Sequence, residues 1–425
     1  MRQGLNPPPI VNRPRTGRWA IAALALGIAS PAVFAGAPEL TKATLFEGDQ
    51  GGYRMYRIPG IVVTRKGTVL AYAEARRKTG GDWDTIDLVM RRSTDGGSTF
   101  SPPRVAVRVT GKVDRSPVAM ERKQGEPTDV TYNNPLAIAD RNGTVHFLFC
   151  LEYMRVFYTR SRDDGETFAP PVEITRTFDA FRPEYSWRVV ATGPGHGIQL
   201  SNGRLLVPVW LSLGTGGNGH HPSVSATVYS DDHGATWHRG EIAVPGTPQF
   251  PDPSETTAVQ LVDGRVMLNV RTEARENRRT VVTSQDGAAH WSPPRLQQDL
   301  PDPVCFASIV RLSTRKTGGK SRLLFSNPEN LTRADGRETV SKDRQNLTIH
   351  MSYDEGETWP VKRTVEAGIA GYSDLAVLPD GTVLCLYESG SAQPGGFPNR
   401  LLVLARFNLE WLTGGKDSMP VGGKR

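Results

Sequence analysis

Ser93-Thr94-Asp95-Gly96-Gly97-Ser98-Thr99-Phe100 is one of five appearances of a single pattern in the chain: Ser, any residue, Asp, any residue, Gly, any residue, Thr, aromatic. The other copies run from Ser161 to Phe168, Ser230 to Trp237, Ser284 to Trp291 and Ser352 to Trp359. The Ser284 copy is degraded, with Ala288 in place of Gly and His290 in place of Thr. Copies spaced by about 55 to 70 residues mean one structural unit used repeatedly. Asp and Ser/Thr side chains satisfy backbone amides in a tight loop, Gly takes positive φ, and the aromatic plugs the unit. That reading makes the box aspartates turn formers rather than catalysts.

Between the boxes, a second element recurs: an apolar run, a tight turn and another apolar run. The runs are Ile61–Tyr72, Leu136–Leu151, Ile198–Leu211, Ala258–Val270, Ile309–Phe325 and Leu375–Tyr387. Their turns carry Gly67, Asn142-Gly143, Asn202-Gly203, Asp263-Gly264, Gly318-Gly319 and Asp380-Gly381. Such turns between β-rich runs predict hairpins. A hairpin followed by a box-turned hairpin makes a four-stranded sheet, the unit of a propeller blade. The last hairpin is followed only by Leu401–Phe407, and Thr41–Phe46 is available to complete it. The expected fold is all-β: a six-bladed β-propeller of four-stranded antiparallel blades over residues 38–412, with a loose tail over 413–425.

Residues 1–18 carry Arg2, Arg13, Arg15 and Arg18 without an acid, and Trp19 to Ala35 is nearly continuous apolar sequence. With small residues at Ala35-Gly36-Ala37, residues 1–37 read as a signal peptide cleaved near Ala35 or Ala37. The expected location is secreted or periplasmic, with no membrane span in the mature chain. Removing those four arginines lowers the formal charge from +7 to +3, so the basicity makes no case for nucleic-acid binding. Three cysteines, Cys150, Cys305 and Cys385, give no disulfide framework.

In a four-stranded meander, the box turns lie on one face. The start of strand one, the end of strand two and the start of strand three lie on the other. Arg57, Arg76, Asp82, Asn134, Glu255, Arg271, Arg344, Tyr372 and Glu388 fall at those ends. Arg57, Arg271 and Arg344, from three blades, suit one small anion, preferably a carboxylate that accepts the planar fork.

Tyr56-Arg57-Ile58-Pro59, then Glu74-Ala75-Arg76, Ile86-Asp87-Leu88, the boxes and Tyr372-Ser373-Asp374-Leu375 resemble the exo-α-sialidase family of bacteria and animals. The resemblance covers about residues 41–412. It implies that Arg57, Arg271 and Arg344 grip a sialic acid carboxylate, that Asp82 is the acid/base residue, and that Tyr372 is the nucleophile with Glu255 as its base. Asp84 is a competitor for the acid/base role. Glu388 resembles the acid that orients Arg57, and Arg76 and Asn134 resemble residues near the sugar 4-hydroxyl.

The implied activity is retaining hydrolysis of terminal α-linked sialic acid from glycoproteins, glycolipids and oligosaccharides by a monomer. Alternatives are transfer to an acceptor glycan, a related nonulosonic-acid glycosidase, or a non-catalytic sialoglycan-binding propeller. No cofactor is expected, and no metal-ligand cluster stands out. His220-His221 reads as a mobile rim within a Gly-rich loop, and His196 as either packing or pocket lining.

Overall fold

Turn chemistry sets the local structure. The glycines of five hairpin turns (Gly67, Gly143, Gly203, Gly264 and Gly381) each donate a backbone N–H to the carbonyl three residues earlier, at 2.9–3.1 Å. The Gly318-Gly319 turn differs: it closes a helical turn, Arg315–Gly318, capped reciprocally by Thr314 and Thr317. The computed structural model describes residues 37–390 and 399–420, with residues 1, 4, 6, 7 and 9 besides. The signal-peptide expectation falls almost wholly outside the described residues. Residues 35–425 form one compact unit. No helix among the described residues is long and apolar enough to cross a membrane.

The unit is all-β, with its sheets in a propeller arrangement. The first sheet is Met55–Val63, Val69–Arg76, Ile86–Ser93 and Arg104–Val105. The second is Tyr132–Ala139, Val145–Leu151, Arg155–Ser161 and Val172–Glu173, with Gly195–His196 added parallel to Tyr132–Ala139. The third contains Val189–Thr192, Leu205–Gly216, His221–Ser230 and His238–Val244, with Ile198–Gln199 also on Leu205–Gly216. The fourth is Thr256–Gln260, Val266–Val270, Arg278–Ser284 and Arg295–Pro301.

The count of separate blades differs from the six expected. Four sheets stand alone, and the remaining seven strands form one continuous sheet. The reason is Val361–Val377, a 17-residue strand that pairs with Gln345–Ser352 through its first half and with Val383–Ser389 through its second. Beyond it, Leu401–Phe407 is followed at the edge by Leu40–Glu47, paired antiparallel from Leu40↔Phe407 to Glu47↔Leu401. The chain's early strand thus completes its last sheet. The tail from Thr413 is not loose through Met419. Asp417 accepts from Arg322 Nε at 2.8 Å and Nη2 at 2.7 Å, and Met419 packs on the neighbouring apolar cluster.

The core lies between neighbouring sheets. Leu70, Tyr72 and Met90 of the first meet Phe147 and Phe149 of the second. The box aromatics reinforce these seams. Phe168, Trp237, Trp291 and Trp359 each join the apolar cluster shared with the preceding sheet.

Within a box, Asp232 accepts from Thr236 N at 2.8 Å and Thr236 Oγ1 at 2.5 Å, and Ser230 Oγ accepts from Gly234 N at 2.8 Å. Gly234 has φ +82°, and a Cβ there would lie 2.3 Å from Tyr158 Oη of the sheet before. The degraded box meets the same demand one residue earlier. Gly287 takes φ +73°, where a Cβ would lie 2.8 Å from Leu206.

Candidate active site

Three inner strands break register where they meet the end of the propeller opposite the boxes. The irregularities fall between Arg57 and Gly60, Asn133 and Leu136, and Ala370 and Ser373. Bulges of this kind re-aim side chains. Ile58 (φ +57°) and Asn134 (φ +50°) carry the unusual backbone this requires. Val69 pairs with Ser93 and Arg76 with Ile86, so the first box and Arg76 stand at opposite ends of one sheet.

One cavity collects Arg57, Asp82, Asn134, Glu255, Arg271, Arg344 and Tyr372. Arg76 and Glu388 stand behind it, both fully buried. The nine expected residues therefore meet in two layers. Asp84 does not join them. It is buried and accepts the backbone N–H groups of Lys78 (3.0 Å), Thr79 (2.7 Å) and Gly80 (3.0 Å), which shapes the loop before Asp82. His196 belongs to another part of the molecule, its Nδ1 2.7 Å from Asp374 Oδ1.

Tyr372 Oη donates to Glu255, lying 2.6 Å from both carboxylate oxygens, and Arg271 Nη1 donates to the same phenol at 2.9 Å. Arg271 also pairs with Glu255. The Arg57 and Arg344 guanidinium carbons lie 5.3 and 5.0 Å from the centre of the Tyr372 ring. Burial pushes the Tyr372 phenol well above its usual range, and Glu255 adds to this. Arg271, Arg344 and Arg57 oppose it without prevailing.

Glu388 fixes both flanks of this group. One carboxylate oxygen accepts from Arg57 Nε at 3.0 Å and Ile58 N at 3.2 Å, and the other from Tyr372 N at 3.1 Å. Arg344 donates to the Val304 carbonyl at 2.9 Å and has no carboxylate ion pair among the described residues. Arg271 Nε is a buried donor without a hydrogen-bond partner among the described residues. The cavity wall holds three arginines against Asp82 and Glu255, a surplus of one positive charge that favours an anion.

Asp82 faces this group. Its Oδ1 accepts from Arg76 Nη1 at 2.8 Å and lies 3.8 Å from Arg57 Nη1. Burial would raise its pKa, but Arg76, His220 and Arg57 outweigh that and hold the carboxyl well below the usual range. Arg76 is in turn gripped by Glu74 at 2.6 Å.

The sequence reading missed Tyr153, Trp210 and Asn218 on the cavity wall. His220-His221, read from the sequence as a mobile rim, lies on the same wall. His220 sits among Trp83, Tyr153 and Trp210, with ring centres 5.0–5.9 Å away, and burial lowers its pKa to about 4. The Gly-rich run ending in two histidines was the available signal, but two of its aromatic partners, Trp83 and Tyr153, come from the first and second sheets. His221, Asp252 and Glu273 also bring possible metal-ligand atoms within 4.8 Å of one another, a cluster the sequence reading did not find. His221 Nδ1 faces Asp252 at 3.8 Å and Nε2 faces Glu273 at 3.3 Å, so the two carboxylates address opposite edges of the ring.

A family model described as a BNR repeat-like domain matches residues 114–385. A sialidase of Micromonospora viridifaciens is 33% identical over 93% of this chain and 59% of its own length. A sialidase of Bacteroides fragilis is 29% identical over 79% of this chain and 60% of its own. The chain thus spans about three fifths of these relatives. Among solved structures, a Hadza microbial sialidase superposes with TM-score 0.70 at 25% identity, over 88% of this chain and 69% of that one. A Trypanosoma rangeli sialidase in complex with the inhibitor DANA superposes with TM-score 0.66 at 20% identity, over 88% and 61%, a likeness of fold. The chain belongs to the BNR repeat-like family, and these relatives are sialidases.

Proposed function

We propose that the protein is a retaining exo-α-sialidase that releases terminal α-linked sialic acid from glycans through a covalent tyrosyl-sialyl intermediate. The observation that carries this reading is the Tyr372–Glu255 hydrogen bond at 2.6 Å, set among three cavity arginines. The anomeric carbon of a sialoside bears a carboxylate, so a neutral phenol approaches with less repulsion than a carboxylate would. Tyrosine is the recognised sialidase departure from paired-carboxylate glycosidases. A buried phenol held above its usual pKa needs a base at contact distance, and Glu255 supplies it.

In the first step Tyr372 oxygen bonds to the anomeric carbon and its proton passes to Glu255. The glycosidic bond breaks towards its oxygen, which takes a proton from Asp82. Water then attacks the anomeric carbon and gives a proton to Asp82, while the Tyr372 oxygen leaves that carbon and takes its proton back from Glu255. Asp82 must be protonated for the first step although its pKa is depressed. A substrate carboxylate on Arg57 offsets one of the charges that depress it, so binding itself favours the acid form.

The test is hydrolysis of sialyllactose and of a fluorogenic α-sialoside by the full chain, with and without excess lactose. Tyr372→Phe is expected to cut kcat on sialyllactose roughly 10²–10³-fold with Tm unchanged. A variant with near wild-type kcat overturns the nucleophile assignment. Sialyl transfer to lactose in place of release would favour a transferase.

We also read the seven-stranded sheet as two blades joined through Val361–Val377, giving six in all. The register break between Ala370 and Ser373, where that strand changes partners, supports this. Residues 1–37 are proposed as an export leader, on their arginine-rich start and apolar run.

A further inference from the structure

The loop between Leu205–Gly216 and His221–Ser230 of the third sheet reaches the segment that carries Asp82 in the first. Asn218 Nδ2 donates to Asp82 Oδ2 at 2.9 Å, and Trp83 Nε1 donates to the Asn218 carbonyl at 2.6 Å. Two consecutive residues of one loop are therefore held by a single residue of another. We propose that Asn218 is a positioning residue for Asp82, holding the carboxylate oxygen that exchanges the catalytic proton. This rests on the sialidase reading above.

The two oxygens of Asp82 are not equivalent. Oδ1 is committed to Arg76 and faced by Arg57. Among the described residues Oδ2 has only the neutral amide as hydrogen-bond partner, which occupies one lone pair and leaves the other to carry a proton. An ionised Asp82 can only accept, which sets the amide with its NH₂ towards the carboxylate. That bond favours the ionised form. It keeps Asp82 in the form from which the base step starts, and fixes the direction of Oδ2 for both steps. Asn218 itself exchanges no proton.

The loop is held for this purpose at several points. Arg122 donates to the carbonyls of Thr215, at 2.9 Å, and Gly217, and Gly219 N donates to Gly216 O at 3.0 Å. Trp83 is buried in a cluster with Val118, Tyr153, Val189 and Trp210. The charged and titratable groups facing Asp82 are Arg57, Arg76 and Glu74 from the first sheet, Tyr153 from the second, and His220 from the third.

The experiment compares pH profiles of kcat, which report the substrate complex, for wild type, Asn218→Ala and the isosteric Asn218→Asp. Substrates are sialyllactose and an aryl sialoside with a good leaving group. Loss of the donor is expected to move the alkaline limb of Asn218→Ala up by about one pH unit, and Asn218→Asp further, because a second carboxylate opposes ionisation of the first. At the wild-type optimum, Asn218→Ala should lose roughly ten-fold on sialyllactose and less than about three-fold on the aryl substrate, whose departure needs little proton transfer. An unmoved limb in both variants, or equal losses on the two substrates, overturns the proposal. Asp82→Ala separates the two readings. Full activity of that variant on sialyllactose overturns the acid/base role of Asp82, whereas its inactivity beside wild-type profiles for the Asn218 variants overturns the positioning role alone.

Discussion

Arg57 and Arg271 each hold a glutamate, while among the described residues Arg344 has a backbone carbonyl and the Tyr372 ring but no carboxylate. The first two are thus fixed in direction before a ligand arrives. Arg271 does more than face an anion, because the same nitrogen touches both the Tyr372 phenol and Glu255. Arg271→Lys is therefore expected to raise KM roughly ten- to a hundred-fold, since an ammonium lacks the planar fork, and to lower kcat as well. Steady-state kinetics on sialyllactose checks this, and an unchanged KM would exclude Arg271 from ligand binding. These residues were legible because each sits at a strand end that the repeat count identifies. Asn218, His220 and Trp210 were not, because their relation to Asp82 and Trp83 arises only when the third sheet's loop lies across the first. Asp84 shows the converse: two residues from Asp82, it spends its carboxylate on loop amides.

At the level of the element, the box is a turn and also a latch between sheets. Its aspartate is stabilised as an anion by the hydrogen bonds it accepts. Asp232 is brought down to about 2, with burial opposing and the Thr236 hydroxyl, Thr236 amide and Ser230 hydroxyl prevailing. A lowered carboxyl contributes stability that is present above its ordinary value of about 4 and is lost as pH falls through about 2. Asp232→Ala should lower Tm by about 1–3 °C at neutral pH and leave kcat unchanged, with the Tm difference from wild type narrowing below about pH 4. A kcat loss without a Tm change would return the box to the list of catalytic candidates. The box was readable because its bonds are local, spanning four residues or fewer. The 17-residue strand Val361–Val377 was not, because no sequence signal says that pairing continues from one partner strand to the next.

For the molecule as a whole, Asp374 ties distant parts of the chain near the middle of the fold. It accepts from Ile61 N at 2.9 Å and Ser308 Oγ at 2.8 Å, and lies 2.7 Å from His196 Nδ1. Burial would lower the His196 pKa, but Asp374 prevails and raises it above 6.5. A raised histidine contributes stability that is fully present below its unfolded value of about 6.5 and is lost as pH rises through its folded value. Asp374→Ala is expected to destabilise the fold by about 3–5 kcal/mol and to remove that alkaline decline. Denaturant unfolding across pH 5–9 checks both, and a variant retaining the wild-type decline would remove His196 as its source. This cross-tie was invisible in the sequence, where Asp374 reads as part of a motif and His196 as packing or lining.

The pairing of Leu40–Glu47 with Leu401–Phe407 also sets a schedule. Glu39 and Asn408, bonded at 3.0 Å, are 369 residues apart. At 5–20 residues per second, a ribosome needs roughly 20–70 s between making the two. Throughout that interval the early strand has no mate, and the last sheet lacks its outer edge. A nascent chain stalled before Leu401 would present raw strand edges at both limits of its arc, a state open to mispairing with its neighbours.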